Sequence, residues 1–117
     1  FPYTTLFRSR GLLRGAAELA PRVNRLLGTD LTLGAAELSR RLAMSESTLR
    51  RHLADEGHSL RELREHCRLE RALALVQTSS LPIGQVAEAC GYASASRFSA
   101  RFRTRFGCTP RSLRAAR

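Results

Sequence analysis

The chain has 117 residues, enough for one domain of ordinary size and too few for a catalytic domain beside a separate ligand-binding domain. With 43% hydrophobic and 26% charged residues it can bury a core, and no apolar run approaches the roughly 20 residues that span a bilayer, so a folded cytoplasmic protein without membrane contact is expected. Twenty Arg and no Lys against 10 acidic residues give a net charge of +10, which excludes an acidic or neutral surface and favours a polyanionic partner.

Residues 1–10, FPYTTLFRSR, show no helical period. PYTTLFRS resembles a translated sequencing-adapter fragment, and the segment is expected to be a disordered or non-native leader, with the domain covering 11–117. From there Leu12, Leu13, Ala16, Leu19, Val23, Leu26 and Leu27 recur at three and four. This predicts one amphipathic helix bent near Pro21 and stopped by Gly28, with Gly28, Thr29 and Asp30 as the turn. A short helix over about 35–42 turns Leu38 and Leu42 inward. Ser45 is a good N-cap for a helix over about 46–55, which puts Leu49 and Leu53 on one face and Ser47, Arg50 and Arg51 on the other; Gly57 closes it.

Ser59 caps a longer helix that reaches about Thr78. Pro82 opens a short helix over about 83–90, and Gly91 supplies a turn where positive φ costs little. The next helix, over about 94–106, spaces Phe98, Phe102 and Phe106 by four. Gly107 ends it, and Thr109 and Pro110 start a last helix that carries Leu113. No segment alternates apolar and polar residues, so the predicted fold is all-α.

Nothing in the chain points to catalysis. Cys67, Cys90 and Cys108 are odd in number and widely spaced, which argues against a disulfide framework; adjacent His66 and Cys67 point about 100° apart on a helix and suit no zinc site. Glu62 and Glu65 fit a solvated face better than an acid/base pair. No nucleophile-elbow, metalloprotease, dinucleotide or phosphate-loop sequence occurs. No enzyme activity, metal or cofactor is therefore expected; an enzyme with a Cys nucleophile would need a thiol of depressed pKa in a cleft.

Leu38, Leu42, Leu49, Leu53 and Gly57 correspond to Val86, Cys90, Phe98, Phe102 and Gly107, a repeat of about 50 residues. Each copy has the plan of a helix-turn-helix, whose second helix offers its outer face to a major groove. One copy is a weak signal, because any helical hairpin has an apolar seam; two on a cationic chain are a stronger one. The stretch AAELSRRLAMSESTLRRHLADEGHSLREL, followed by RLERALALVQTSSLPIGQVAEACGYASASRFSARFRTRFGCTPRSLR, resembles the DNA-binding domain of AraC/XylS-type bacterial transcription regulators. The most specific matches are Ile83, Ala87, Gly91, Tyr92, Ser96, Phe98, Phe102, Phe106, Gly107 and Pro110. The resemblance implies seven helices in two homeodomain-like three-helix lobes joined by a long linking helix, with lobes at about 11–58 and 82–117 and the linker at about 59–78. It also implies sequence-specific promoter binding, with two recognition helices in successive major grooves about 34 Å apart. Ala43 departs from the glycine many members carry in the first turn, and Ala100 from the usual Arg. Members usually carry an N-terminal effector-binding or dimerisation domain; this chain is expected to lack one, as a fragment of a longer regulator or a stand-alone member.

From Ser94 to Arg117 there are seven Arg and no acidic residue, a placement that codon bias against Lys does not explain. The candidate DNA-binding residues are Ser47, Arg50 and Arg51 on the first recognition helix and Ser96, Arg97, Ser99, Arg101, Arg103 and Arg105 on the second. Arg50 and Arg51 are the strongest candidates for base or phosphate contact, with a solvated helix face as the alternative; Arg97 is the residue of the helix over about 94–106 best placed to reach a base, and Arg101, Arg103 and Arg105 read as phosphate grips. Arg68 either touches a phosphate or braces the lobes. Double-stranded DNA is the expected partner, with RNA polymerase a further one. The rival reading is a basic helical interaction module that docks an acidic partner such as RNA polymerase without reading DNA sequence.

Overall fold

A computed structural model describes residues 18–117, so the leader over 1–10 and the expected helix start at Leu12 lie outside the described residues. Among the described residues there are seven helices and no strand: α1 (Leu19–Thr29), α2 (Ala35–Arg41), α3 (Glu46–Asp55), α4 (Leu60–Thr78), α5 (Ile83–Ala89), α6 (Ala95–Phe106) and α7 (Pro110–Ala115). The chain divides into two compact units between Glu65 and His66, within α4.

In the first unit, α1 differs from the sequence expectation at both ends. Glu18 is extended (φ −65°, ψ 138°), so the helix starts at Leu19 and Pro21 falls in its first turn, where a missing N–H breaks no intrahelical bond. The expected bend is therefore a helix start. Glu18 does not cap this end with its side chain. The buried Glu56 carboxylate, after α3, accepts from the Leu19 N–H at 2.7 Å and the Ala20 N–H at 2.8 Å, placing negative charge at the positive end of the helix dipole. At the other end Gly28 lies inside the helix, which continues to Thr29. Asp30 makes the turn, its carboxylate accepting from the Thr32 N–H at 2.9 Å and hydroxyl at 2.6 Å. Val23, Leu27, Leu38, Leu49 and Leu53 are fully buried, the apolar seam the 3.6-residue period requires.

The turn between α2 and α3 recurs between α5 and α6. Ala43 N–H donates to the Arg40 carbonyl at 3.2 Å and Met44 N–H to the Ser39 carbonyl at 3.0 Å; Gly91 N–H donates to Glu88 at 3.0 Å and Tyr92 N–H to Ala87 at 2.9 Å. This pair of bonds is a Schellman cap, which needs a left-handed residue, and Ala43 (φ +57°) and Gly91 (φ +87°) supply it. Ala93 makes the second turn one residue longer. Serine then starts each following helix, Ser45 Oγ accepting from the Thr48 N–H at 3.2 Å and Ser94 Oγ from the Arg97 N–H at 3.1 Å.

The second unit packs Leu69, Ala72, Val76, Val86, Ala87, Cys90, Phe98 and Phe102 into one cluster. Along it Tyr92, Phe98, Phe102 and Phe106 form a chain of tilted ring contacts, with centroids 5.3, 5.7 and 4.6 Å apart. Arg114 and Arg117 close the C-terminal end of α4. Arg114 donates to the carbonyls of Leu75 and Val76, both at 3.4 Å, and of Leu81, and Arg117 donates to Val76 at 2.9 Å. Last-turn carbonyls lack helical partners, and guanidinium donors complement the negative end of the dipole.

A left-handed alanine costs about 1–2 kcal/mol that glycine avoids, partly offset by the greater freedom of an unfolded glycine. Ala43→Gly should therefore stabilise the chain by about 0.5–1 kcal/mol. Gly91→Ala, which would also place Cβ 3.1 Å from Arg68 Nε, should destabilise it by about 1–2 kcal/mol. Urea midpoints at unchanged slope measure both.

Candidate nucleic-acid interface

The serine caps and the buried seams orient the two outward faces. On α3, Leu49 and Leu53 point into the core, so Ser47, Arg50, Arg51 and Ala54, at spacing 0, 3, 4, 7, share the opposite face, and all four are exposed. On α6, Phe98 and Phe102 take the inward positions. Ser96, Ala100 and Arg103 are exposed on the equivalent stripe, while Ser99 is half-buried. Arg97 and Arg101 are exposed one position round the helix. Small residues stand at the start of both faces, where a groove would come closest to the backbone.

Arg105 differs from the other arginines of α6. It is half-buried, its guanidinium meets His66 Nδ1 on α4, and it lies 3.8 Å from the Glu70 carboxylate. With Arg114 and Arg117 engaged on carbonyls, at least three of the seven C-terminal arginines act within their own unit. The exposed basic face is accordingly smaller than the charge count suggested. His66 is 7% exposed, and burial together with the Arg105 charge pushes its pKa down to about 4. It therefore meets Arg105 as neutral imidazole, an acceptor.

Sequence reasoning missed His66 as a partner for Arg105, because the two are 39 positions apart and only packing joins them. It also missed Glu56 as the cap of α1. Arg68 lies against the Gly91 turn within the second unit, its Nε 3.1 Å from where a Gly91 Cβ would stand. Cys90 is buried, and burial pushes its thiol pKa up, the reverse of an activated nucleophile. Among the described residues no cluster of three His, Cys, Asp or Glu side chains could hold a metal ion.

The sequence pattern of the helix-turn-helix domain family matches residues 38–116. The chain belongs to the AraC/XylS-type helix-turn-helix family. It is 39% identical over 88 residues to the HTH-type transcriptional regulator GadX of Escherichia coli O6:H1, covering 75% of this chain and 31% of GadX. It thus spans about a third or less of the length of the curated relatives it matches. Among solved structures it resembles a DNA-binding transcriptional dual regulator from Escherichia coli K-12, with a TM-score of 0.79, 32% identity and coverage of 84% of this chain and 96% of that one. It also resembles the DNA-binding domain of AdpA, solved in complex with a target DNA, with a TM-score of 0.70, 25% identity and coverage of 86% and 93%. As a member of this family the chain pairs its two helix-turn-helix copies with the all-α architecture expected from the residues.

The His66 pKa has a consequence for stability. An unfolded histidine takes its proton near 6.5, whereas folded His66 stays neutral down to about 4. Between those values the unfolded state binds more protons, so His66 makes stability fall as pH falls. His66→Gln should lose less stability than the parent chain between pH 7 and pH 4.5, read as the difference in urea midpoints.

Proposed function

We propose that this chain is the DNA-reading part of a transcription regulator, with α3 and α6 each entering its own stretch of major groove in one binding site. The observation that supports this best is the repeated device of a serine-capped helix, seated on an apolar seam and presenting small residues and arginines outward. Arg50 and Arg51 on α3 and Arg97 on α6 are the base readers, since a guanidinium can pair in two-pronged fashion with guanine O6 and N7. Ser47 and Ser96 allow close approach, and Ser99 sits at the edge of the contact. Arg101 and Arg103 grip phosphate on the later turns of α6. Arg105 serves this surface by holding the last turn of α6 through His66 and Glu70. With Ala100 at the position where the family usually has Arg, readout by α6 falls on Arg97.

In this reading the recognition lobes are about 11–58 and 82–117, linked by 59–78. RNA polymerase would be the second partner, and the cytoplasm the compartment where both partners are met. Among the described residues no helix is long and apolar enough to cross a membrane.

Substituting Arg50 or Arg51 by Ala should relax sequence preference in one part of the selected site, and Arg97→Ala in another part. Each should cost about 1–3 kcal/mol for a guanine contact. Binding-site selection from random duplexes followed by competition measures this, and equal weakening on all sequences would place base readout elsewhere. Arg101→Ala and Arg103→Ala should weaken binding on all sequences alike, each flattening the slope of log affinity against log salt by about 1. An unchanged slope in both variants would contradict phosphate gripping by these two side chains.

A further inference from the structure

α1 uses two faces. Leu19, Ala20, Val23 and Leu27 are buried in the first unit. Arg22, Arg25, Leu26 and Thr29, at spacing 0, 3, 4, 7, form a second stripe that joins Arg41 and Leu42 around an open cleft of about 340 Å³. The floor is apolar: Leu26 is half-buried and Leu42 is 7% exposed. The Thr29 hydroxyl is occupied by the Leu26 carbonyl at 2.7 Å. Three exposed arginines form the rim. Arg41 already has a carboxylate partner, Glu37, 3.7 Å from its Nε and bonded also to Arg40 at 2.8 Å, while Asp30 is held by Thr32; among the described residues, Arg22 and Arg25 are the rim arginines without a carboxylate contact. No residue of α3 lines the cleft.

We propose that this cleft docks an acidic segment of a partner protein, one large apolar side chain resting on Leu26 and Leu42 while flanking carboxylates pair with Arg22 and Arg25. An apolar centre within an arginine rim is the composition of an interface anchor site. Charge complementarity selects carboxylates for the rim, and Arg pairs with them through two parallel bonds. A DNA backbone would satisfy the arginines but brings no apolar group to the floor. The site does not depend on the DNA-reading proposal, and its failure would leave the α3 and α6 assignments untouched.

The test is selection of a random twelve-residue peptide library against the whole chain, counter-selected against Arg22→Gln/Arg25→Gln. Because both arginines are exposed, the variant should keep the parent's thermal midpoint and DNA sequence preference. Enriched peptides should carry Asp or Glu around a Leu, Ile or Phe. Binding should drop at least tenfold when that apolar residue becomes Ser and at least tenfold on the double variant, with amide shifts centred on Leu26, Thr29 and Leu42. The proposal is overturned if no acidic peptides are enriched, or if poly-Glu binds as well as the selected peptides. It is also overturned if the shifts fall on α3 and α6, or if a DNA duplex shifts the cleft and the double variant loses tenfold in DNA affinity, which would make the cleft a phosphate grip.

Discussion

In each unit the first helix of the pair ends on a left-handed residue, Ala43 in one and Gly91 in the other. That single backbone state closes the two Schellman bonds, reverses the chain within two or three residues, and delivers a serine to the start of the next helix. Everything that makes the outer helices usable follows from it. The cap fixes where α3 and α6 begin, the start fixes which positions face inward, and the inward leucines or phenylalanines leave the arginines outside. The two copies reach this with different side chains, Ala beside Gly and Leu beside Phe, because the requirement lies in φ, ψ and apolar volume rather than in residue identity.

The arginines divide according to what each can reach. A guanidinium carries five donors and no acceptor, so near an unfilled carbonyl or a neutral imidazole it bonds inward. Arg114 and Arg117 do this at the end of α4, Arg105 does it at His66, and Arg64 does it at the Leu31 carbonyl, 3.2 Å away. Arg50, Arg51, Arg97 and Arg103 are instead exposed on their helix faces, the positions to which the proposed reading assigns phosphate and base contacts. The net charge of +10 therefore overstates the exposed basic surface, part of it being spent on helix ends.

Much of the fold was legible because its signals are local. Ser45, Ser59, Ser94 and Thr109 cap helices at the positions their sequence neighbours demanded, and Gly57, Gly91 and Gly107 end helices with positive φ. The misreadings cluster at α1. Pro21 suggested a bend and Gly28 a stop, yet both residues tolerate the helix positions they occupy, and the start of α1 is secured by Glu56, far along the chain. The candidate site was legible as a set of exposed residues on two faces. Ser99 and Arg105 were the exceptions, both half-buried, Arg105 because His66 and Glu70 draw it inward from positions that no short-range pattern announces.

The sequence by itself determined the all-α class, the order of the helices among the described residues, the duplicated helix-turn-helix plan and the cationic character, since periodicity, caps and charge act over a few residues. Tertiary structure alone decided which charged groups stay outside. Glu56 became a helix cap, Arg105 a brace and Arg114 a clamp, and Arg22, Arg25 and Arg41 came together around Leu26 and Leu42, because hydrogen bonding and burial join groups by distance in space rather than along the chain.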